Sequence, residues 1–328
     1  MKSCFITGST GFVGLNLIEE LCIREWEIHA LHLPGEDLRY LSRFRVRPVA
    51  GNILDYHSLQ QAIPENVDVI YHVAGDTSMW NKHNDRQFKL NVVGTRNILK
   101  AAMENKAGKF VHTSSVSAYG YHPNHVISEQ TESNAPACGM NYNITKNLAE
   151  QEVRYYAGLG LPVTIINPCN IIGPYDRANW SQIIKAVRQG KLRGIPPGTG
   201  TFAHVRDVAR AHISAAEKGS LGENYILGGQ VASFKEVINE IERLLGRKPS
   251  ERILSPSILR FAVLVSQIKS MMTGKEPDVT PAKYKRLIGH LICDDSKALR
   301  DLGFCTVSIK EMLTDSYNWL LKENLFSD

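Results

Sequence analysis

The chain has 328 residues, 43% apolar and 22% charged, with a formal net charge of +5. This size and composition exclude a disordered or fibrous chain and suit one large or two closely joined soluble domains whose core needs no disulfide staples. The charge is too modest for a nucleic-acid footprint, because its densest basic stretch, RFRVR at 43–47, alternates Arg with Phe44 and Val46 as a half-buried strand would.

In chain order, the first apolar run is CFIT (4–7), followed by a glycine-rich turn and a helical pattern over 12–24. Strand patterns recur at EIHALHL (27–33), VRPVA (46–50), VDVIYHV (67–73), KFVHTS (109–114) and PVTIIN (162–167). Helix-period segments at 56–63, 85–105 and 142–157 lie between them. Nearly continuous, β-branched strands alternating with helices predict a parallel sheet covered on both faces. The expected class is therefore α/β, a Rossmann-type doubly wound sheet. After Pro168 the texture changes, with glycine and proline clusters at 173–174 and in GIPPGTG (194–200). HVRDVARAHISAAEKG (204–219) reads as a helix, ENYILGG (223–229) as a strand, and 232–325 as mostly helical. Residues 1–170 are expected to form the dinucleotide-binding domain, with 201–230 returning to it. Residues 171–200 and 231–328 are expected to form a smaller, mostly helical substrate lobe.

The six cysteines form no C-x-x-C pair and follow no secretion signal, which predicts reduced thiols and a cytoplasmic setting. The apolar stretch Ile258 to Ile268 is interrupted by Arg260, Ser266 and Gln267. It falls short of the ~20 residues a membrane span requires. It is expected to line a core or pocket, and no membrane partner is expected.

Gly8, Gly11 and Gly14 stand between the first strand and first helix, spaced G-x-x-G-x-x-G. Gly8 would permit the tight turn, Gly11 the close approach of a pyrophosphate, and Gly14 the packing of helix on sheet. The helix N-terminus would supply free N–H groups. The second strand ends His32-Leu33-Pro34 without the acid that usually binds a 2′-hydroxyl. Glu36 and Asp37 follow in the loop, while His32 and Arg39 suit a 2′-phosphate; the balance favours NADP over NAD. Asn52 in GNILD reads equally as an adenine contact or a turn former.

With TGSTGFVG, GNILD, YHVAG, NVVGTRN, HTSSVSAYG, YNITK, INPCNIIGP, HVRDVARAH and NYILGG in order, the chain resembles the extended short-chain dehydrogenase/reductases over nearly its whole length. Within them it looks most like the bacterial dihydroflavonol-4-reductase-like group. Asn52 stands where many relatives carry Asp, and Leu33 where NADP-type relatives often carry Arg. The resemblance implies catalytic Ser115, Tyr142 and Lys146 with Asn91 as a fourth polar member, Ser114 being the alternative serine. It implies cofactor contacts from Gly8, Thr10, Gly11, Phe12, Val13, Gly14, His32, Arg39, Asn52, Ile53, Val73, Ala74, Gly75, Thr113, Tyr142, Lys146 and Pro168. Substrate contacts would come from Thr77, Trp80, Ser117, Tyr119 and Asn170. A homodimer through the 85–105 and 142–157 helices is implied in the same way.

The chemistry agrees with the resemblance. A phenol of pKa about 10 is a poor acid or base at neutral pH unless a cation stabilises its phenolate. Residues i and i+4 share a helix face, so Lys146 is expected beneath Tyr142. The expected activity is NAD(P)H-dependent reduction of a ketone or oxidation of a secondary alcohol on a small, bulky apolar or aromatic substrate. One alternative is a nucleotide-sugar epimerase or dehydratase with a diphosphate site among Arg177, Lys185, Arg188, Lys191, Arg193 and Arg206. Another is a dinucleotide-sensing regulator. No metal is expected: His204, Asp207 and His212 share a helical segment without a ligand spacing, and His122 and His125 read as loop residues.

Overall fold

The structure, a computed structural model, describes residues 1–326 apart from Asn124 and Arg193. The first half alternates as β1 (Ser3–Thr7), α1 (Phe12–Ile23), β2 (Glu27–His32), β3 (Arg47–Ala50), α2 (Tyr56–Ala62), β4 (Val69–His72), α3 (Asn84–Phe88), α4 (Gly94–Glu104) and β5 (Lys109–Thr113). It continues through the short β6 (Val126–Ile127), α5 (Asn141–Gly158), β7 (Val163–Pro168), β8 (Asn170–Ile172), α6 (Trp180–Arg188), β9 (Thr199–His204), α7 (Val205–Lys218) and β10 (Asn224–Leu227). The remainder is β11 (Gln230–Ser233), α8 (Phe234–Leu244), α9 (Pro256–Thr273), α10 (Pro281–Ile288), β12 (Ile292–Cys293), α11 (Ser296–Leu302) and α12 (Ile309–Lys322).

Seven strands form a parallel sheet in the order β10-β7-β5-β4-β1-β2-β3. The order reverses direction at β1 and β4, which places a ligand crevice at the C-terminal ends of these strands. One face buries Leu15, Ile18 and Leu21 of α1 together with Val208 and Ala211 of α7. The other buries Leu59 of α2, Ile98 and Leu99 of α4, and Val153 of α5. A three-stranded sheet, β11-β9-β8, and the pair β12-β6 link the main sheet to the C-terminal helices.

Two sequence expectations are corrected. RFRVR is not a strand: Leu41–Arg43 form a 3₁₀ turn and β3 begins only at Arg47. Arg43 is drawn out of register by a bidentate pair with Glu323, at 2.6 and 2.8 Å, while Phe44 packs on Tyr175. The apolar stretch within α9 does not line a core; Ile258, Phe261, Leu264, Val265 and Ile268 are all exposed.

Candidate active site

The glycine loop owes its shape to contacts that no side chain could share. Gly8 has φ +69°, and a Cβ there would lie 2.7 Å from Ala74 N. At Gly14 a Cβ would lie 2.1 Å from Gly8 O, so helix and loop touch backbone to backbone. Gly11 caps α1 without a side-chain hydrogen bond, and the first turn carries no acidic residue. The N–H groups of that turn are therefore left without a side-chain cap, and a helix N-terminus of this kind favours an anion. This cradle fits the diphosphate of a dinucleotide.

At its rim, Glu36 accepts from Thr10 Oγ1 at 2.5 Å and from Leu33 N at 3.0 Å. Arg39 is tied to Asp37 at 2.8 Å and lies over Tyr40, while His32 Nδ1 meets Leu33 O at 3.0 Å. Asn52 Oδ1 accepts from Leu54 N at 2.9 Å, so its carbonyl oxygen is used in a turn. Ile53 packs beneath Gly94, where a Cβ would sit 2.7 Å from Ile53 Cδ1. Phe12 and Val13 open α1, and Pro168 ends β7.

From the cradle, Val73–Gly75 lead directly to the polar cluster. A Cβ on Gly75 would lie 3.3 Å from Asn91 Oδ1 and 3.4 Å from Lys146 Nζ. Asn91 occupies a π-helical turn, Lys89–Val93, between α3 and α4. Such wide turns recur at functional sites; here the turn lets Asn91 accept from Asp76 N at 2.7 Å and donate to Asp76 O at 2.9 Å and Thr145 Oγ1 at 3.1 Å. A buried chain fixes the turn. Thr95 donates to Asn91 O at 2.7 Å, His72 Nε2 meets Thr95 Oγ1 at 2.9 Å, and His72 Nδ1 meets Thr7 Oγ1 at 2.7 Å. Because the Thr95 proton is already given to Asn91 O, His72 Nε2 is the donor and Nδ1 accepts. Burial, then the Lys146 charge, pushes the His72 pKa down to about 3, which keeps it neutral in that role.

Lys146 Nζ donates to Thr113 O at 2.9 Å, and the Thr113 hydroxyl meets His212 Nε2 at 2.8 Å. Burial lowers the Lys146 pKa to about 8, opposed by Glu150. The two candidate serines part company. Ser114 Oγ donates to the buried Glu150 at 2.5 Å, in a network with Asn167 and Asn224. Ser115 instead accepts from Ser117 N at 3.1 Å and adjoins the Tyr142 phenol. Burial raises the Tyr142 pKa, while Arg286 and the neighbouring Ser115 hydroxyl lower it.

Arg286 was not anticipated from the sequence. It lies on α10, its guanidinium carbon 5.4 Å from the Tyr142 ring centre, and donates to Ser117 Oγ at 2.7 Å. Among the described residues it makes no ion pair. The cation acting on the phenol is thus Arg286; Lys146, expected beneath Tyr142, instead holds the end of β5.

Ser117, Gly120, Tyr121, Asn143, Asn170 and Arg286 surround a cavity, and Asn170 is held by Thr201 O at 3.0 Å. Thr77 is exposed, and Trp80 stacks edge-on against His83 at 4.9 Å. Tyr119 is a correction: its ring belongs to a core cluster with Val116, Ile127 and Ile226 and is not among the residues around the cavity. The basic residues proposed for a diphosphate are dispersed. Arg188 lies over Phe326, Arg206 pairs with Asp315, and Arg177 reaches Thr10 O; Arg193 lies outside the described residues. His204 caps α7 and His122 bonds Tyr119 O.

Residues 4–228 match the NAD dependent epimerase/dehydratase family. Sterol demethylase protein B of Methylococcus capsulatus is 28% identical over 98% of both chains. A Synechocystis protein provisionally named a dihydroflavonol 4-reductase is 30% identical over 97% of this chain and 95% of its own. The crystal structure of gox2253 superposes with a TM-score of 0.86 at 29% identity, covering 98% of this chain and 99% of that one. With its glycine cradle, parallel sheet and YNITK helix, the chain belongs to the NAD dependent epimerase/dehydratase family of extended short-chain dehydrogenase/reductases.

Proposed function

We propose that the protein is an NAD(P)-dependent oxidoreductase that interconverts a secondary alcohol and a ketone on a bulky apolar substrate. The observation that carries this reading is the buried Tyr142 phenol, beside Ser115 and faced by Arg286, on the helix whose Lys146 reaches Gly75 next to the glycine cradle. The nicotinamide cofactor, when bound, supplies or takes the hydride. Tyr142 gives or takes the proton of the reacting oxygen, and Ser115 holds that oxygen by hydrogen bonding. Arg286 stabilises the phenolate. The Thr113 carbonyl holds Lys146 beside Gly75, at the wall next to the cradle, where its ammonium can meet the hydroxyls of a bound dinucleotide. The similarity to a sterol demethylase protein supports a polycyclic or long-chain apolar substrate, as do Trp80 and the apolar α9 beside the lobe.

The cofactor we infer is NAD. The sequence favoured NADP through His32 and Arg39, but the group bonded to the cradle is the Glu36 carboxylate, and Arg39 is neutralised by Asp37. A carboxylate there repels a 2′-phosphate. A homodimer through the 85–105 and 142–157 helices is proposed with it, since Phe88 of α3, Met103 of α4 and Tyr155 of α5 stand exposed.

The test is turnover of hydroxysteroid and bulky ketone panels by the wild type and Tyr142→Phe. The reading requires the variant to keep dinucleotide affinity and lose nearly all turnover; unchanged activity would overturn it. A second reading, epimerisation or dehydration of a nucleotide sugar, is supported by the family itself and by the unpaired Arg286 guanidinium, which suits an anionic substrate group. Tight co-purifying NAD with thermal stabilisation by UDP-sugars, and no turnover of free ketones, would select it.

A further inference from the structure

Helix α9 is inside out. The side it turns to the protein carries Leu259, Ser266 and Ser270, whereas Ile258, Phe261, Leu264, Val265, Ile268, Met271 and Met272 face solvent, Phe261 at 67% and both methionines at 83% exposure. At 3.6 residues per turn these seven side chains fall within one arc of about 140°. The only charged residues of the helix, Arg260 and Lys269, fall on the two opposite borders of that arc, and the helix has no acid. Beyond it, Lys275, Lys283 and Lys285 outnumber Glu276 and Asp278; Lys269 meets Asp278 at 3.6 Å with both side chains largely exposed. A contiguous apolar surface of this kind marks an interaction site rather than ordinary surface.

We infer that α9 seats on the surface of an anionic phospholipid bilayer, lying in the interface plane rather than crossing it. No described helix is long and apolar enough to span. An apolar arc immersed among acyl chains, with a basic residue at each edge to snorkel toward headgroup phosphates, is the arrangement an interfacial helix needs. A cation at each border and no acid on α9 favour an anionic over a neutral surface, and the broad exposed arc flanked by them fits the headgroup–acyl boundary of a bilayer. The inference departs from the expectation of no membrane partner, and it rests on this surface alone, independent of the reaction proposed. If that reaction also holds, the geometry has a use: α9 packs on α10, the helix that carries Arg286, so an apolar substrate held in lipid is one helix from the cavity.

Flotation of the full chain with vesicles tests this. The wild type should float with phosphatidylcholine–phosphatidylglycerol vesicles, weakly with pure phosphatidylcholine, and less as salt rises. Phe261→Ser with Ile268→Ser should lower partitioning about a hundredfold, and Arg260→Glu with Lys269→Glu should abolish the preference for anionic vesicles. Unchanged thermal midpoint and dinucleotide affinity show that each variant is folded; Met271→Gln with Met272→Gln, at the helix end, serves if the first pair misfolds. Failure of the wild type to float, or equal flotation of all variants, overturns the inference. So does a wild-type dimer that becomes monomeric in the serine variant without any vesicle binding, because the arc would then be covered by a second copy.

Discussion

Arg286 and Tyr142 meet face to charge, guanidinium over phenol ring at 5.4 Å, and among the described residues Ser117 Oγ is the one side-chain oxygen to which the guanidinium donates. This contact joins α10 of the C-terminal region to Tyr142 of α5, the proton-transfer group of the proposed reaction. Burial alone would hold the phenol protonated far into alkaline solution.

In the proposed reaction alcohol oxidation uses Tyr142 as the base, and removing Arg286 leaves burial less opposed. For Arg286→Leu we expect roughly a tenfold loss of kcat/KM for oxidation at neutral pH, with the rise of the pH profile moved to higher pH. Arg286→Lys should restore part of the loss, since the charge is kept and the planar fork is not. A Leu variant with an unshifted profile would remove Arg286 from proton transfer.

The adjacent serines separate stability from turnover. Ser114→Ala removes one of the hydrogen bonds to the buried Glu150 carboxylate, leaving Asn167 and Asn224, and should cost about 1–3 kcal/mol of stability in denaturant titrations, with turnover largely kept. Ser115→Ala should leave stability nearly unchanged and cut kcat by about tenfold to a hundredfold. The reverse pattern would reassign the serine.

The sheet, the cradle and the YNITK helix were legible because each depends on local chemistry: glycines where no Cβ fits, strands apolar on both faces, a four-residue helical spacing. What escaped depends on packing between distant segments. Arg286 sits in KYKRL, which reads as a solvated basic helix until the lobe folds over Tyr142. The π-helical turn around Asn91 has no sequence mark of its own; the 85–105 pattern looked like one regular helix. Tyr119 looked like a pocket residue because it flanks the serines, yet the 3₁₀ turn at Val116–Tyr119 rotates it into the core. In α9 the apolar period was plain, but periodicity does not say which face meets solvent.

Lys146 is held charged at a cost. Its folded pKa is depressed from 10.5 to about 8, chiefly by burial. Below pH 8 both folded and unfolded states are protonated and the penalty is complete; between about 8 and 10.5 the unfolded state binds more protons, so stability rises with pH; above 10.5 the penalty is gone. Lys146→Met should therefore stabilise the protein by about 1–2 kcal/mol at pH 7, after the lost Thr113 hydrogen bond, while abolishing turnover. The gain should shrink toward pH 10. A variant less stable than wild type at pH 7 would show that the ammonium is better accommodated than its burial implies.

Glu36 offers the sharpest test of cofactor choice. Its carboxylate bridges Thr10 of the cradle and the Leu33 N–H just past β2, so it fixes both the loop conformation and the sign of charge at the rim. Glu36→Gln removes the charge and keeps an oxygen for the Leu33 N–H, while its amide NH2 faces Thr10 Oγ1, whose hydroxyl can turn to accept. The expected result is a ratio of kcat/KM for NADP over NAD raised about tenfold, with NAD turnover within a few-fold of wild type. Adding Asp37→Asn, which frees Arg39 from its 2.8 Å partner, should raise the ratio further by giving a 2′-phosphate a cation to pair with. If the wild type already prefers NADP, or the double variant leaves the ratio unmoved, the charge at the rim does not set the choice.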